Sequence, residues 1–538
     1  MSGPSTAKQM APADTAEKRL ATVSTPAGQK FRQQMGHISR HSSIFFAGTI
    51  FTAGTGYLFK IYLARVLGAE ALGIYALGMT IVGFLGVFNA LGLPHAAVRF
   101  VATYVGTGKL DLLRGFLGRS SVLLLVSNLF LGAGVLLAGP WIAVHFYHTP
   151  ALSAYLGLFT CIMLFGVFNT FFGQVLAGYK DVARRTLITS FVGTPLTMIF
   201  TLGLVGLGFG LRGYMGAQVS SAVVMLVLLV AMVWKLTPPA ARSFSAGWPP
   251  LERQVISFSA AVFGMSFLEF LMAQADKILI GFYLSAREVG VYAVSATLVA
   301  FVPIILQSVN QIFSPTIAEL HARRERELLS RIFQTLTKWI LGLTIPLASV
   351  MIIFAPGLMR IFGHEFEAGW PILVIGTAGQ LVNCAVGSVG YLLLMSGEQK
   401  RLVRVQACMA VVMVVLSLLL IPRWGIIGAA AGAAITNAVS NFVYLWQVRR
   451  ALGLSPYNRS YLRLLLPVTA AIGLLLSLRL GLSAVRPEWL VIGAGVTLAY
   501  LAFIGVALAF GLDADDRLIA EAVWSRLRGV FPRTEAQV

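Results

Sequence analysis

Charge is scarce in this 538-residue chain, at 12% against 57% hydrophobic residues, a balance outside the range of soluble globular proteins. Carboxylates are the scarcer sign, 21 against 41 Lys and Arg, and none falls in the first six apolar runs described below. Cysteine is nearly absent. Cys161, Cys384 and Cys408 lie within apolar runs at no metal-ligand spacing, which excludes a disulfide framework and a zinc site. Strict apolar–polar alternation is missing, so a transmembrane barrel is excluded. Residues 1–40 lack the apolar core that a signal peptide needs, and their Ser, Thr, Ala, Pro and basic residues predict a disordered cytoplasmic tail. The longest outer loops, near 139–149 and 356–368, are too short for a catalytic domain, so the chain is not expected to be an enzyme.

What the chain has in abundance is long apolar runs. Gly213 to Trp234 and Trp489 to Leu512 carry no charge and are long enough to cross a ~30 Å hydrocarbon core as helices. Runs beginning near residues 42, 72, 112, 150, 185, 213, 255, 289, 332, 368, 402, 425, 461 and 488 predict about fourteen spans in an all-α integral membrane protein. The net charge of +20 sits between the runs, which makes it a topology signal and excludes nucleic acid as a partner. Lys180, Arg184, Arg185, Lys400, Arg401 and Arg404 fall in loops on one side, whereas single arginines, Arg212 and Arg423, fall on the other. Both termini are therefore expected in the cytoplasm.

A duplication organises these runs. Leu63 to Ala76 reads LARVLGAEALGIYA and Ile280 to Ala293 reads IGFYLSAREVGVYA, with Leu, Ala, Gly, Tyr and Ala identical at an offset of 217, an offset that also relates Lys60 to Lys277. Six spans per copy give the two copies the same orientation, about a pseudo-two-fold axis along the membrane normal. The expected division is a tail (1–40), a first lobe (41–236), a cytoplasmic Pro-rich linker (237–254), a second lobe (255–450), two additional spans (451–512), and an interfacial helix and tail (513–538).

Ionisable residues inside spans are costly, at roughly 2.5–3.5 kcal/mol each, and mark function by default. Glu269, Asp276 and Lys277 cluster on the seventh span, FSAAVFGMSFLEFLMAQADKILIGFYL. Three readings stand open for the lysines. They snorkel to the outer interface, or Lys277 is neutralised by Asp276 or Glu269, or Lys60, Arg65 and Lys277 meet an anionic group in a cavity between the lobes. Asn89, Asn169, Gln174, Gln307, Asn310 and Gln311 are candidates for sugar hydroxyls, or else glue between helices.

The segment Leu63 to Ala102 resembles the first-to-second-span signature of the polysaccharide transporters, the O-antigen-type oligosaccharide flippases. Ala275 to Leu320 resembles the same family's Asp in the seventh span, Gly-x-Tyr opening the eighth, and Pro before a basic loop. The resemblance covers about residues 42 to 450. It implies the multidrug/oligosaccharidyl-lipid/polysaccharide superfamily fold, two six-helix lobes in a V that alternates between inward-open and outward-open states. The substrate it implies is a polyprenyl-pyrophosphate-linked oligosaccharide carried across the bacterial inner membrane. Membrane lipid, a polysaccharide polymerase and glycosyltransferases are the implied partners. Lys60, Arg65 and Lys277 become pyrophosphate contacts, and Asp276 and Glu269 sites for a coupling Na+ or H+, with no other cofactor. Two spans beyond twelve resemble the lipid II flippase and keep a peptidoglycan-precursor flippase as an alternative. A cation-coupled multidrug exporter is the other, although the first six spans lack the carboxylate such exporters use.

Overall fold

The computed structural model describes residues 26–242, 247–481 and 488–510, which are overwhelmingly helical with no strand among them. In the first half, α1 spans Pro26–Ala90, α2 Leu93–Gly106, α3 Leu110–Trp141 and α4 Leu156–Gly178. α5, Val182–Leu236, passes through π-helical turns at Leu187–Gly193 and Val205–Phe209. The second half holds α6 (Arg253–Tyr283), α7 (Ala286–Val299), α8 (Ile304–Ala322), α9 (Arg326–Ile353), α10 (Trp370–Val386) and α11 (Gln399–Leu452). Two further helices follow, α12 (Leu465–Gly481) and α13 (Glu488–Ala509).

Residues 26–40, inside the stretch expected as a tail, are helical, and the Gln, Lys, Arg and Met among them are good helix formers. Residues 1–25 and the expected interfacial helix over 513–538 lie outside the described residues.

Ten described helices are long and apolar enough to cross a membrane, or eleven if α7 and α8, bent by 50°, form one span. The expected number was about fourteen, and the difference lies in three long helical stretches, Phe51–Gly106, Val182–Leu236 and Gln399–Leu452, of 56, 55 and 54 residues. At ~1.5 Å per residue each holds about 80 Å of helix, more than twice the thickness of a hydrocarbon core. Each breaks at glycines with positive φ, Gly68 at 80° and Gly92 at 71°, Gly208 at 89° with Gly210 at 51°, and Gly425 at 58°. Lacking a Cβ, glycine takes this backbone at little cost, so the chain changes direction without a loop. A count of fourteen requires a division at each break.

The packing differs between the two ends of the bundle. At the end opposite the basic turns, one core joins both halves, drawing Leu77, Tyr147, Phe159 and Met215 together with Ile280, Tyr292, Phe362 and Ile421. At the basic end there are two separate cores. One centres on Phe100, Phe116, Phe171 and Leu229, the other on Phe313, Phe333, Leu392 and Val448. The halves also touch along α6, where Phe88 meets Phe263 at 5.4 Å between ring centroids and Phe100 meets Phe258 at 5.9 Å. Two lobes fused at one end and separately cored at the other is the V that the family resemblance implies. α12 and α13 pack outside it on α9, through Val350, Leu475, Ile492 and Ala499.

The joined end is built on close backbone approach. A Cβ on Gly73 would lie 1.6 Å from the carbonyl oxygen of Ala286, and one on Gly290 would lie 2.0 Å from that of Ala69. Both pairs are related by the 217-residue offset, so the pseudo-two-fold axis passes through this contact. Small residues let membrane helices approach this closely.

Candidate functional site

Lys60 projects from α1 toward the second lobe, where its Nζ donates to Thr297 Oγ1 of α7 at 3.0 Å. Lys277, at the equivalent place on α6, is half-buried and donates to Gln274 Oε1 at 2.8 Å, one turn back on its own helix. The two lysines thus stand at equivalent places on equivalent helices, near Ile61 and Leu279 of the shared core. Lys60 reaches across the lobe boundary, whereas Lys277 is held locally.

Arg65 is drawn away from this pair. Its Nε donates to the carbonyl of Ile361 at 2.8 Å, and nearby the backbone N–H of Ala69 donates to Glu365 Oε2 at 3.0 Å. Ile361 and Glu365 belong to the connection between α9 and α10, so this connection caps the helix that restarts after Gly68. The result is a clasp between the lobes at the joined end.

Asp276 is buried, at 8% exposure. Its Oδ2 accepts from the Tyr292 hydroxyl at 2.5 Å and its Oδ1 from the backbone N–H of Lys277 at 2.7 Å. Glu269, two turns earlier on α6, is exposed. Asp276 stands at the edge of a cavity of about 460 Å³ inside the second lobe, lined also by Gln307, Asn310, Gln380, Asn383, Ser388, Thr436, Asn437 and Asn441. Asn383 donates to Gln380 Oε1 at 3.1 Å and Asn437 to the carbonyl of Gly379 at 3.2 Å. Asn310 Oδ1, Ser388 Oγ and Thr436 Oγ1 are buried here without a hydrogen-bond partner among the described residues. Leaving such groups unpaired is costly, so the cavity is chemically suited to water, a cation or hydroxyl groups.

Of the amide candidates, Gln307 and Asn310 line this cavity and Gln311 is exposed. Those of the first lobe engage protein groups. Asn89 donates to Asn128 at 2.6 Å, Asn169 to the carbonyl of Ala222 at 2.9 Å, and Gln174 accepts from Arg185 at 3.2 Å. Among the described residues no group of three or more His, Cys, Asp or Glu is placed to hold a metal, and the three cysteines are free.

Sequence reasoning missed Lys338, a cation only 5% exposed on α9. The signal was present, since TLTKWILG sets a lysine twelve positions into an apolar helix. It also left Arg119 unassigned. That guanidinium donates twice to the Trp248 carbonyl, at 2.9 and 2.7 Å, and pins the linker to the first lobe.

A family model described as "Polysaccharide biosynthesis protein" matches residues 38–321, more than half of the chain. This chain belongs to the polysaccharide biosynthesis protein family. A second family model, MatE, matches residues 261–422, the stretch that holds the Asp276 cavity's first walls. The probable low-salt glycan biosynthesis flippase Agl15 of Haloferax volcanii is 21% identical over 412 residues, 76% of this chain and 82% of that protein. Among solved structures, the lipid II flippase MurJ in an inward closed conformation aligns with a TM-score of 0.70 at 13% identity, covering 87% of this chain and 98% of that one. An inward-facing multidrug resistance MATE family transporter of the MOP superfamily aligns with a TM-score of 0.62 at 17% identity, covering 75% and 94%. The fold is therefore that of the superfamily the sequence resembles, and this family member is a multi-pass membrane protein.

Proposed function

We propose that this protein is a flippase that moves a polyprenyl-pyrophosphate-linked oligosaccharide across the bacterial inner membrane by alternating access. The observation that carries the reading is Lys60, which reaches across the lobe boundary to Thr297 while its equivalent Lys277 stands on the matching helix of the second lobe, beside a core that joins the lobes at one end only. A pyrophosphate entering between the lobes from the basic, cytoplasmic end meets a cation from each side. Closure of the basic end with release of the Arg65–Ile361 and Ala69–Glu365 clasp exposes the same site to the opposite face. Asp276, with Glu269 on the same helix, is the proposed place for a coupling Na+ or H+ to bias that exchange. The family match and a relative named as a glycan flippase support the lipid-linked glycan as substrate and a transporter in place of an enzyme.

A lipid II flippase is the second reading, favoured by the helix pair α12 and α13 packed on α9. The deciding experiment reconstitutes the protein in liposomes and follows transbilayer movement of a fluorescent polyprenyl-pyrophosphate oligosaccharide, with lipid II and a cationic dye in parallel. Movement of the oligosaccharide, lost in Lys60→Ala/Lys277→Ala, is the expected result. Movement of lipid II alone selects the second reading, and dye uptake without lipid movement selects a drug exporter.

A further inference from the structure

A second cavity, of about 390 Å³, opens on the first lobe between α3 and α5, far from the lysine pair. Its walls are Leu117, Val122 and Leu125 on one side and Val230 and Trp234 on the other, and Val122, Leu125, Val230 and Trp234 are all exposed. Phe168 and Phe172 of α4 form the floor. Its long axis follows α3 from Arg114 to Leu125, eleven residues or roughly 16 Å of helix.

The basic end of this groove is different in kind. Arg114 and Arg242 line it, and the linker residue Trp248 roofs it, held there by the two hydrogen bonds from Arg119. Gly118 admits the indole, since a Cβ there would lie 2.5 Å from Trp248 Cε2. Arg242 lies 5.8 Å from the Trp234 ring and ties its Nε to the Thr237 carbonyl at 2.6 Å. Arg114 is 12% exposed, its Nη2 pairs with Asp111 at 3.1 Å, and its Nε is buried without a partner among the described residues. Asp111, 81% exposed, is the carboxylate at this rim.

We propose that this groove binds an anionic phospholipid of the leaflet at the basic end, with its phosphate against Arg114 and Arg242 and an acyl chain along α3. An apolar trough ending in arginines and tryptophans at headgroup depth matches a lipid at both ends, and basic pockets between spans on the cytoplasmic side recognise anionic headgroups. The lipid touches the linker through Trp248, so its presence stiffens the joint between the lobes. This assignment does not depend on what the protein transports.

The test uses the full chain, delipidated in mild detergent and offered dioleoyl phosphatidylglycerol or phosphatidylcholine, with retained lipid counted by native mass spectrometry. Wild type should retain phosphatidylglycerol roughly tenfold better, and Arg114→Gln/Arg242→Gln should lose about fivefold per cation removed. Because Arg242 also holds backbone carbonyls, Val122→Trp serves as a second variant that fills the trough without altering charge, and it should lose both lipids. Equal retention of the two lipids by wild type, or undiminished phosphatidylglycerol on Val122→Trp, overturns the assignment.

Discussion

Tyr75 and Tyr292 occupy one position in two copies of a single sequence, yet their hydroxyls face different chemistry. Tyr75 pairs with Gln218 of α5, while Tyr292 donates to the buried carboxylate of Asp276. The lobes differ less in how many polar atoms go unpaired than in where those atoms stand. Both tie amides into bonds between helices and both leave buried polar atoms unpartnered among the described residues, Asn89 Oδ1, Ser120 Oγ and Asn169 Oδ1 in the first and Asn310 Oδ1, Ser388 Oγ and Thr436 Oγ1 in the second, where all three line the Asp276 cavity. The duplication preserved the scaffold, including Gly73 with Gly290 and Lys60 with Lys277, and let the polar interior diverge. Symmetric parts build the seam and carry the proposed anion grip, and the asymmetric parts include the buried carboxylate and the cavity of the second lobe.

That division is open to direct attack. The largest effect is expected from Lys60→Ala/Lys277→Ala in the liposome assay, where losing two charged contacts at about 1.5 to 3 kcal/mol each slows flipping roughly a hundredfold or more. The single variants should fall by similar factors, and silence of one would break the equivalence of the lobes toward the substrate. Next come Gly73→Val and Gly290→Val, each forcing a side chain into a backbone carbonyl. Overpacking of this kind costs about 1–3 kcal/mol, read as matching drops in thermal stability. Gly86→Ala, with nothing within 4 Å, is the control that should not destabilise.

Asp276→Asn sharpens the contrast between the tyrosines. It keeps an acceptor for Tyr292 but removes the charge, so gradient-driven flipping should fall about tenfold, near 1.4 kcal/mol, while movement without a gradient persists. Gln218→Leu should leave the gradient dependence unchanged. The smallest effect belongs to Asn89→Ala, which strands Asn128 and should cost about 1 kcal/mol of stability with flipping within about twofold of wild type. A large transport defect there, at full stability, would return Asn89 to the substrate path.

The scaffold was legible because its determinants are local or repeat themselves. Gly73, Tyr75 and Lys60 recur at one offset, apolar runs announce helices, and positive loops mark one end. What the glycines touch was not legible, since Ala286 is as ordinary in sequence as any alanine. The spans expected to begin near 72, 213 and 425 follow Gly68, Gly210 and Gly425 with no loop between, because sequence records a break without recording how short it is. The amides resisted for another reason. Gln307 and Asn169 are both polar residues in apolar helices, and only the packing of neighbouring helices decides which faces a cavity and which a carbonyl. Lys338 was overlooked in a span whose other residues fit the apolar pattern.

The glycine seam carries a last consequence, about descent. Residue 73 meets 286 while 290 meets 69, and such reciprocity is the signature of an isologous interface, the kind made by two identical subunits about a two-fold axis. An ancestral six-span protein in a fixed orientation would have needed only this one self-complementary patch to pair with itself. Joined in one chain, the two copies are free to differ, and at the 217-residue offset Asp276 has Phe59 as its counterpart.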